Sequence, residues 1–491
     1  MGEELTKLTL IEAKKKLENK EITSVELTDA FIKNCEKNKK LNIFVTETFD
    51  LAREQAKNSD KNIVDGKARK LEGLPLVIKD NFCTEGVRTT AGSKILGNFI
   101  PPYESTFTQK IKDEGYVLLG KANMDEFACG STTMTSYYGY TYNTYKAKGD
   151  DRELIPGGSS GGSATAVSSN CCLSASGSDT GGSIRQPAGI QNLVGIKPTY
   201  GRISRYGIVA YASSLDQAGW LTKDIADACY LTDIVCGKDD KDSTTVEMEK
   251  TNFYGNLKAD IKGKKVAIIK EFMGLDNKVD REIYEKFNDI VNFYKSEGCE
   301  IIEASIPTID FVPELYEIIS YTELASNLAR FDGVRYGYRT DKEVKTLDEL
   351  YSKSRYEGIC ENVRKRILLG YFFSSSENYE RYFLKAQKVR RKLVNEFLDV
   401  LKKADFIMTP ATPNCAFPIK LTEEEKKKNL ESNYLNDLFV CPANMAGLPA
   451  LTVPAGFSSR NLPIGVHLVG RYFDEQTLFN VGLAIEKNRK R

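Results

Sequence analysis

The sequence predicts a mixed α/β fold with a large β-sheet core covered by helices on both faces. Short apolar runs of strand length recur along the 491 residues, and long amphipathic stretches with helical spacing lie between them. Hydrophobic residues make up 41% of the chain. A chain of this length and composition is able to fill a substantial core.

Individual elements follow from local patterns. Thr9 with Glu12 and Thr23 with Glu26 have capping-box spacing, which predicts two helices within the first 40 residues. Amphipathic spacing predicts further helices over residues 281–296 and 379–401. Five apolar runs predict strands, at residues 74–78, 117–119, 265–269, 406–408 and 450–453.

Composition excludes several classes of protein. With 69 basic and 68 acidic residues, the net charge of +1 gives no electrostatic case for nucleic-acid binding, so we expect a partner to hold any RNA. Eleven scattered cysteines without a CxxC pair indicate reduced thiols and disfavour a zinc site. The charged N-terminus and the lack of a long apolar run predict a soluble protein without membrane attachment, in a cytoplasm of the bacterial type or in an organelle.

A run rich in glycine and serine, residues 156–187, contains two loops separated by a helix-compatible stretch at residues 164–167. Glycine allows positive φ and lets backbone N–H groups converge, so the segment GSDTGGS is able to form a nest for an oxyanion. Taken alone, the pattern fits a structural turn or phosphate-binding loop as well as a nucleophile loop.

The residue inventory narrows the chemistry. The single histidine, His467, lies in the apolar segment IGVHLVG and is more typical of a core residue than of a catalytic one. No GxSxG elbow surrounds Ser183, and no nucleotide-binding motif is present. Serine activated by a neutral lysine remains. Lys79 follows an apolar run, although such a lysine in isolation is more often paired at the surface.

Three segments, in this order, resemble the amidase signature family: LPLVIKDN at residues 74–81, PGGSSGGSA at 156–164 and GSDTGGSIRQPA at 177–188. The resemblance implies a Ser-cisSer-Lys triad in which Ser183 is the nucleophile, Ser159 the bridge and Lys79 the base. It also implies an oxyanion hole formed by backbone N–H groups, those of Thr180, Gly181, Gly182 and Ser183. We expect Asp179 and Arg185 to fix the shape of this loop by hydrogen bonds.

Further segments, such as NMDEFACGSTT at residues 123–133, are similar to the A subunits of tRNA-dependent amidotransferases within that family. This finer resemblance implies that Arg366 and Asp437 hold free glutamine, with Tyr316 as a further pocket candidate. Without the resemblance, Arg366 fits a helix surface and Asp437 a helix cap. The chain departs from those subunits at Met134, Trp220 and His467, which puts local packing or subunit contacts in doubt.

The same resemblance implies a glutaminase that supplies ammonia for converting misacylated Glu-tRNA(Gln), or Asp-tRNA(Asn), to the correctly charged tRNA. A B subunit would use ATP and Mg²⁺ and bind the tRNA, and a small C subunit would complete a heterotrimer; this chain would hold no cofactor or metal. We predict one domain over residues 1–491, with a helical segment to about 60, the triad core over about 61–230 and the pocket portion over about 231–491. The alternatives are a stand-alone amidase acting on small or aryl amides and a non-catalytic assembly subunit.

Overall fold

The computed structural model describes residues 2–273 and 279–489, without the side chains of 426–434. Within those residues, eleven strands form one mixed sheet. In chain order they are β1 (Phe44–Glu47), β2 (Pro75–Lys79), β3 (Val117–Ala122), β4 (Ser174–Asp179), β5 (Val194–Lys197), β6 (Gln217–Thr222), β7 (Lys265–Ile269), β8 (Glu300–Ala304), β9 (Phe406–Pro410), β10 (Ala450–Phe457) and β11 (Pro463–Gly470).

The strands lie in the order β1-β3-β2-β4-β6-β5-β10-β11-β9-β7-β8. Parallel pairing joins β2 to β3 and β4, and β7 to β8 and β9, whereas the other described pairs are antiparallel. Every residue of β2, β3, β4, β6, β9 and β11 is buried. Because successive strand residues face opposite sides of a sheet, both faces are covered, and the predicted fold class is confirmed.

The helices that cover the sheet are α1 (Gly2–Leu5), α2 (Leu10–Glu18), α3 (Ser24–Lys37), α4 (Phe49–Val64), α5 (Thr106–Asp113), α6 (Gly161–Ser168), α7 (Arg185–Gly189), α8 (Ile225–Val235), α9 (Lys270–Met273), α10 (Arg281–Ser296), α11 (Val312–Leu328), α12 (Leu347–Gly358), α13 (Glu361–Ser374), α14 (Lys385–Leu401), α15 (Glu423–Met445) and α16 (Glu475–Arg489). Both predicted capping boxes are present, at the starts of α2 and α3. The helix predicted over 379–401 is a π-helical turn, Glu380–Leu384, followed by α14.

The five predicted apolar runs coincide with β2, β3, β7, β9 and β10, although β2 begins one residue later than predicted. Six strands were not predicted, and β4 is one of them. Its sequence, SASGSD, has the small polar residues of a turn, yet it lies fully buried between β2 and β6. A side chain at Gly177 would place its Cβ 2.6 Å from Ile184 Cγ1. Small residues are therefore required because neighbouring elements approach the strand closely, and hydrophobic periodicity does not report that need.

The sheet positions the predicted site. β2 and β4 are parallel neighbours, so their carboxyl ends, Lys79 and Asp179, lie at the same edge. The loop before α6 and the loop between β4 and α7 lie at that edge as well. No helix in the described ranges is both long and apolar enough to cross a membrane.

Candidate active site

Lys79 ends β2 with a fully buried side chain. Its Nζ lies 2.8 Å from the hydroxyl oxygens of Ser159, Ser160 and Ser178, and 3.3 Å from the Ser178 carbonyl oxygen. No carboxylate forms a salt bridge with Lys79 within the described ranges. The amine is thus surrounded by neutral oxygens from the loop before α6 and from strand β4.

Burial lowers the pKa of Lys79 to about 7. The negative charges of Asp125, Asp179 and Asp216 oppose this shift, but they do not cancel the loss of hydration. A substantial fraction of Lys79 is consequently a neutral amine near pH 7. A neutral amine has the free lone pair that a general base needs, which an ordinary surface lysine lacks at this pH.

Ser159 and Ser183 lie on the two loops that meet over Lys79. The Gly158–Ser159 peptide bond is cis, and the Gly158 N–H donates to Gln186 Oε1 at 3.0 Å. The Ser160 N–H donates to the Ser183 carbonyl oxygen at 3.2 Å, which joins the two loops directly. The Ser183 side chain lines an open pocket, whereas Ser159 is fully buried beneath it.

A buried ion pair shapes the loop that follows β4. Arg185 donates from Nε and Nη2 to the Asp179 carboxylate, at 3.0 Å each, and both side chains are fully buried. Asp179 also accepts from the N–H groups of Gly182, at 2.8 Å, and Ile184, at 3.1 Å. The expected role of Asp179 and Arg185 in fixing the loop by hydrogen bonds agrees with this geometry.

One member of the predicted oxyanion hole needs correction. The Gly182 N–H already donates to Asp179 Oδ1, so it is not free to bind an oxyanion in this conformation. What position 182 requires is the absence of a side chain: φ is +111°, and a Cβ would lie 2.3 Å from Val440 Cγ2. The backbone N–H groups of Thr180, Gly181 and Ser183 remain as candidate donors, and the Thr180 hydroxyl is tied to Asp216 at 2.6 Å.

A pocket of about 380 Å³ opens above the two loops. It contains Ser183 together with all three predicted substrate-binding residues, Arg366, Asp437 and Tyr316. These residues come from α13, α15 and α11, which are distant from the serine loops in the sequence. Tyr316 lies directly over the loop, because a Cβ on Gly181 would lie 2.6 Å from its ring carbon Cζ.

Arg366 is held in the pocket by aromatic residues. Its Nη1 donates to the Tyr211 hydroxyl at 3.3 Å, and its guanidinium lies 5.1 Å from the centre of the Tyr321 ring. Neither side chain is an anion at neutral pH, since burial raises the pKa of both tyrosines. In the described part of the chain, Arg366 makes no salt bridge. Its positive charge is therefore available to an anionic group of a ligand.

Asp437 provides the opposite charge. Burial raises the pKa of its carboxyl to about 7, and the nearby positive charge of Arg366 only partly offsets that effect. A cationic ligand group in the pocket would favour ionisation of Asp437. The pocket thus pairs a permanent cation with a carboxyl that a bound cation converts to an anion.

Comparison with known proteins assigns the family. A family model described as Amidase matches residues 26–479. The chain belongs to the amidase signature family. Curated relatives are 46–47% identical: the A subunit of glutamyl-tRNA(Gln) amidotransferase from Rickettsia bellii (strain RML369-C) over 487 residues, 99% of this chain and 98% of that protein, and its namesake from Hyphomonas neptunium over 485 residues, 98% and 97%.

Solved structures of the amidase signature family agree. The crystal structure of the A subunit of glutamyl-tRNA(Gln) amidotransferase from Thermotoga maritima is 37% identical, covers 99% of this chain and 94% of its own, and has a TM-score of 0.76. A bacterial aryl acylamidase of the family has a TM-score of 0.82 with 20% identity, covering 98% of this chain and 96% of its own. The latter likeness shows the shared fold alone.

Sequence reasoning missed several residues of this amidase-family site. Ser160 and Ser178 contact Lys79, and Tyr211 and Tyr321 hold Arg366. Ser160 and Ser178 lie inside the quoted motifs, beside predicted site residues in the sequence, and that position could have marked them as part of the site. No sequence signal marked Tyr211 and Tyr321, because a tyrosine in an apolar segment is also typical of a hydrophobic core.

Two of the three departures from the A subunits have a structural explanation. His467 is buried, and its Nε2 accepts from Arg185 Nη1 at 2.7 Å, so burial and that neighbouring charge keep its pKa well below the ordinary value. It is a neutral core residue, as predicted. Trp220 is fully buried on β6 and packs against Phe107, with ring centres 4.8 Å apart. Met134 packs against a small apolar cluster that includes Leu154.

Proposed function

We propose that this chain is the glutaminase subunit of a tRNA-dependent amidotransferase. The observation that carries the proposal is the combination in one pocket of Ser183 with Arg366 and Asp437. A guanidinium binds an α-carboxylate and a carboxylate binds an α-ammonium, so the pocket complements the zwitterionic end of an amino acid. The serine then faces the other end of that substrate.

The chemistry proposed is acyl transfer through a covalent intermediate. Ser183 Oγ attacks the side-chain amide carbon of glutamine, and its proton passes through the Ser159 hydroxyl to the neutral amine of Lys79. N–H groups of the glycine loop stabilise the oxyanion. The proton returns to the leaving nitrogen, ammonia departs, and water hydrolyses the γ-glutamyl ester to glutamate.

The hydrogen bonds around Lys79 support this route. A neutral amine has two N–H donors and one lone pair, so at least one of the three hydroxyls at 2.8 Å donates a proton toward Nζ. Ser159 is the bridging hydroxyl in our proposal, because its loop is hydrogen-bonded to that of Ser183. Ser160 and Ser178 would then accept the two N–H groups and orient the lone pair.

We further propose that the ammonia serves a B subunit that binds misacylated tRNA and uses ATP and Mg²⁺, with a C subunit completing a heterotrimer in the cytoplasm. The curated relatives are named as A subunits, which supports a multi-subunit assembly. This chain needs no cofactor of its own in the proposed step. The described residues contain no cluster of potential metal ligands.

The test separates this function from a stand-alone amidase. We expect Arg366→Gln and Asp437→Asn each to raise KM for glutamine about 10- to 100-fold with a smaller change in kcat, because each removes a charge-assisted contact worth roughly 1.5–3 kcal/mol. Hydrolysis of a simple aryl amide without charged α-groups is the comparison substrate. An unchanged KM for glutamine in both variants, with good turnover of the aryl amide, would favour the stand-alone amidase.

A further inference from the structure

The substrate pocket has an acidic wall that the proposed function leaves unused. Besides Asp437 on α15, Glu314 and Glu317 on α11 line the same pocket. Arg366 is the only basic residue among those that line it within the described part of the chain. The wall thus contains two carboxyl groups beyond the one that the proposed contacts with the substrate use.

Although Glu317 is exposed, its carboxylate is tied to a neighbouring side chain of the same helix. Its Oε1 accepts a hydrogen bond from the Tyr321 hydroxyl at 3.2 Å. The Tyr321 ring also carries the Arg366 guanidinium, 5.1 Å from its centre. The Tyr321 side chain thus contacts both Arg366, the group suited to an α-carboxylate, and the Glu317 carboxylate.

Glu317 also acts electrostatically on Asp437. Its negative charge raises the pKa of Asp437, in addition to the larger effect of burial. Two carboxyl groups that repel each other in the same pocket define a place where a cation is favourable. A ligand ammonium between them would remove the repulsion and pair with both.

We propose that Glu317 is the second carboxylate of the α-ammonium site and selects substrates with a free α-amino group. This inference rests on the proposed function and assigns a specificity-determining residue to it. In the bound state the α-carboxylate lies on Arg366, and the α-ammonium lies between Asp437 and Glu317. Amides without an α-amino group leave the two carboxyl groups facing each other.

This arrangement couples the binding of glutamine to the release of a proton from Asp437. In the empty pocket Asp437 faces Glu317 and Tyr316 on α11, Arg366 on α13 and Cys441 on its own helix. When the ammonium arrives, the neutral fraction of Asp437 releases its proton to the buffer and the ion pair forms. With a pKa of about 7, we expect about half a proton released per glutamine bound at pH 7.

The experiment compares Glu317→Gln with the wild-type protein, using the full chain purified with any partner chains that accompany it. Kinetics are measured with L-glutamine and with glutaric acid monoamide, which lacks only the α-amino group. We expect Glu317→Gln to raise KM for glutamine about tenfold with kcat within twofold, and to leave KM for the monoamide unchanged within twofold. Glu314→Gln removes the same charge from the same pocket and is the matched control.

Calorimetry in buffers of different ionisation enthalpy gives a second measurement. Glu317→Gln lowers the pKa of Asp437, so fewer protons should be released per glutamine at pH 7 than in the wild type. A merely structural role for Glu317 would raise KM for both substrates alike, and that result would overturn the inference. An equal effect of Glu314→Gln would also overturn it. Absence of glutamine hydrolysis in the wild type would instead contradict the proposed function.

Discussion

At the residue scale, the chemistry depends on the removal of water from Lys79. Its ammonium form has no buried carboxylate within salt-bridge distance in the described structure, and neutral hydroxyls occupy the positions around Nζ. Burial is the larger effect on the pKa, and the three nearby aspartates moderate it. In the proposed mechanism, this lysine takes the place of the histidine of other serine hydrolases. The only histidine of the chain, His467, is buried against Arg185.

The pKa of Lys79 gives a prediction for the pH dependence of turnover. A lysine whose pKa is lowered to about 7 is neutral and active above that pH and protonated below it. We therefore expect kcat for glutamine to fall about tenfold per pH unit below about pH 7. Steady-state kinetics at saturating glutamine from pH 5.5 to 8.5 measure this.

Asp437→Asn provides the control for that profile. Asp437 also has a pKa of about 7, but its ionisation affects substrate binding and so appears in kcat/KM. In this variant kcat should still fall below about pH 7, as in the wild type. The fall of kcat/KM below that pH should be less steep than in the wild type. A kcat that stays flat down to pH 5.5 would exclude Lys79 as the base.

At the scale of elements, the loop between β4 and α7 is built by its own ion pair. Asp179 ends β4, Arg185 begins α7, and their hydrogen bonds close the loop that carries Ser183. Asn444 on α15 adds Nδ2 bonds to the Asp179 carbonyl oxygen, at 3.0 Å, and to its Oδ1, at 2.9 Å. The loop that carries Ser183 is thereby fixed to the helix that carries Asp437.

Asp179→Asn tests this role. It leaves the buried Arg185 charge uncompensated, which typically costs roughly 3–5 kcal/mol, and it weakens the bonds to the loop N–H groups. We expect lower stability in urea unfolding and at least a hundredfold lower kcat. Glu475→Gln is the control, since it breaks the buried Arg202–Glu475 pair, at 2.7 Å, far from the loop in sequence. That variant should lose stability but keep kcat; equal losses of kcat in the two variants would contradict the assignment.

A helix or strand could be predicted from the sequence when its own residues are enough to specify it, and not when it depends on contacts with distant parts of the chain. α10 was predicted with the observed bounds because its apolar stripe is complete within 16 residues. β4 was not, because what makes it a strand is burial between β2 and β6. In the site, Lys79, Ser159 and Ser183 stand in short motifs, whereas Glu317 and Tyr321 belong to an ordinary helix sequence. Their proximity to Asp437 and Arg366 exists only after α11, α13 and α15 have packed together.

At the scale of the whole molecule, the predicted fold class and family are confirmed, and the similarity extends over 99% of the chain. The roles of the triad residues, the partner subunits and the division of the domain remain predictions. The pocket opens to solvent with its charged groups exposed to a small ligand, and the chain itself provides no nucleotide-binding motif. We therefore expect glutamine hydrolysis here and use of the ammonia in a partner.

The most direct measurement of this account is transamidation by the assembled complex containing Ser183→Ala, with glutamine or with ammonium chloride as the nitrogen donor. Without the nucleophile, we predict that glutamine-dependent formation of the correctly charged tRNA is lost and that the ammonia-dependent reaction continues near the wild-type rate. Co-purification of the variant with its partners verifies assembly. Glutamine-dependent transamidation that persists in Ser183→Ala, or loss of both reactions in an intact complex, would contradict the account.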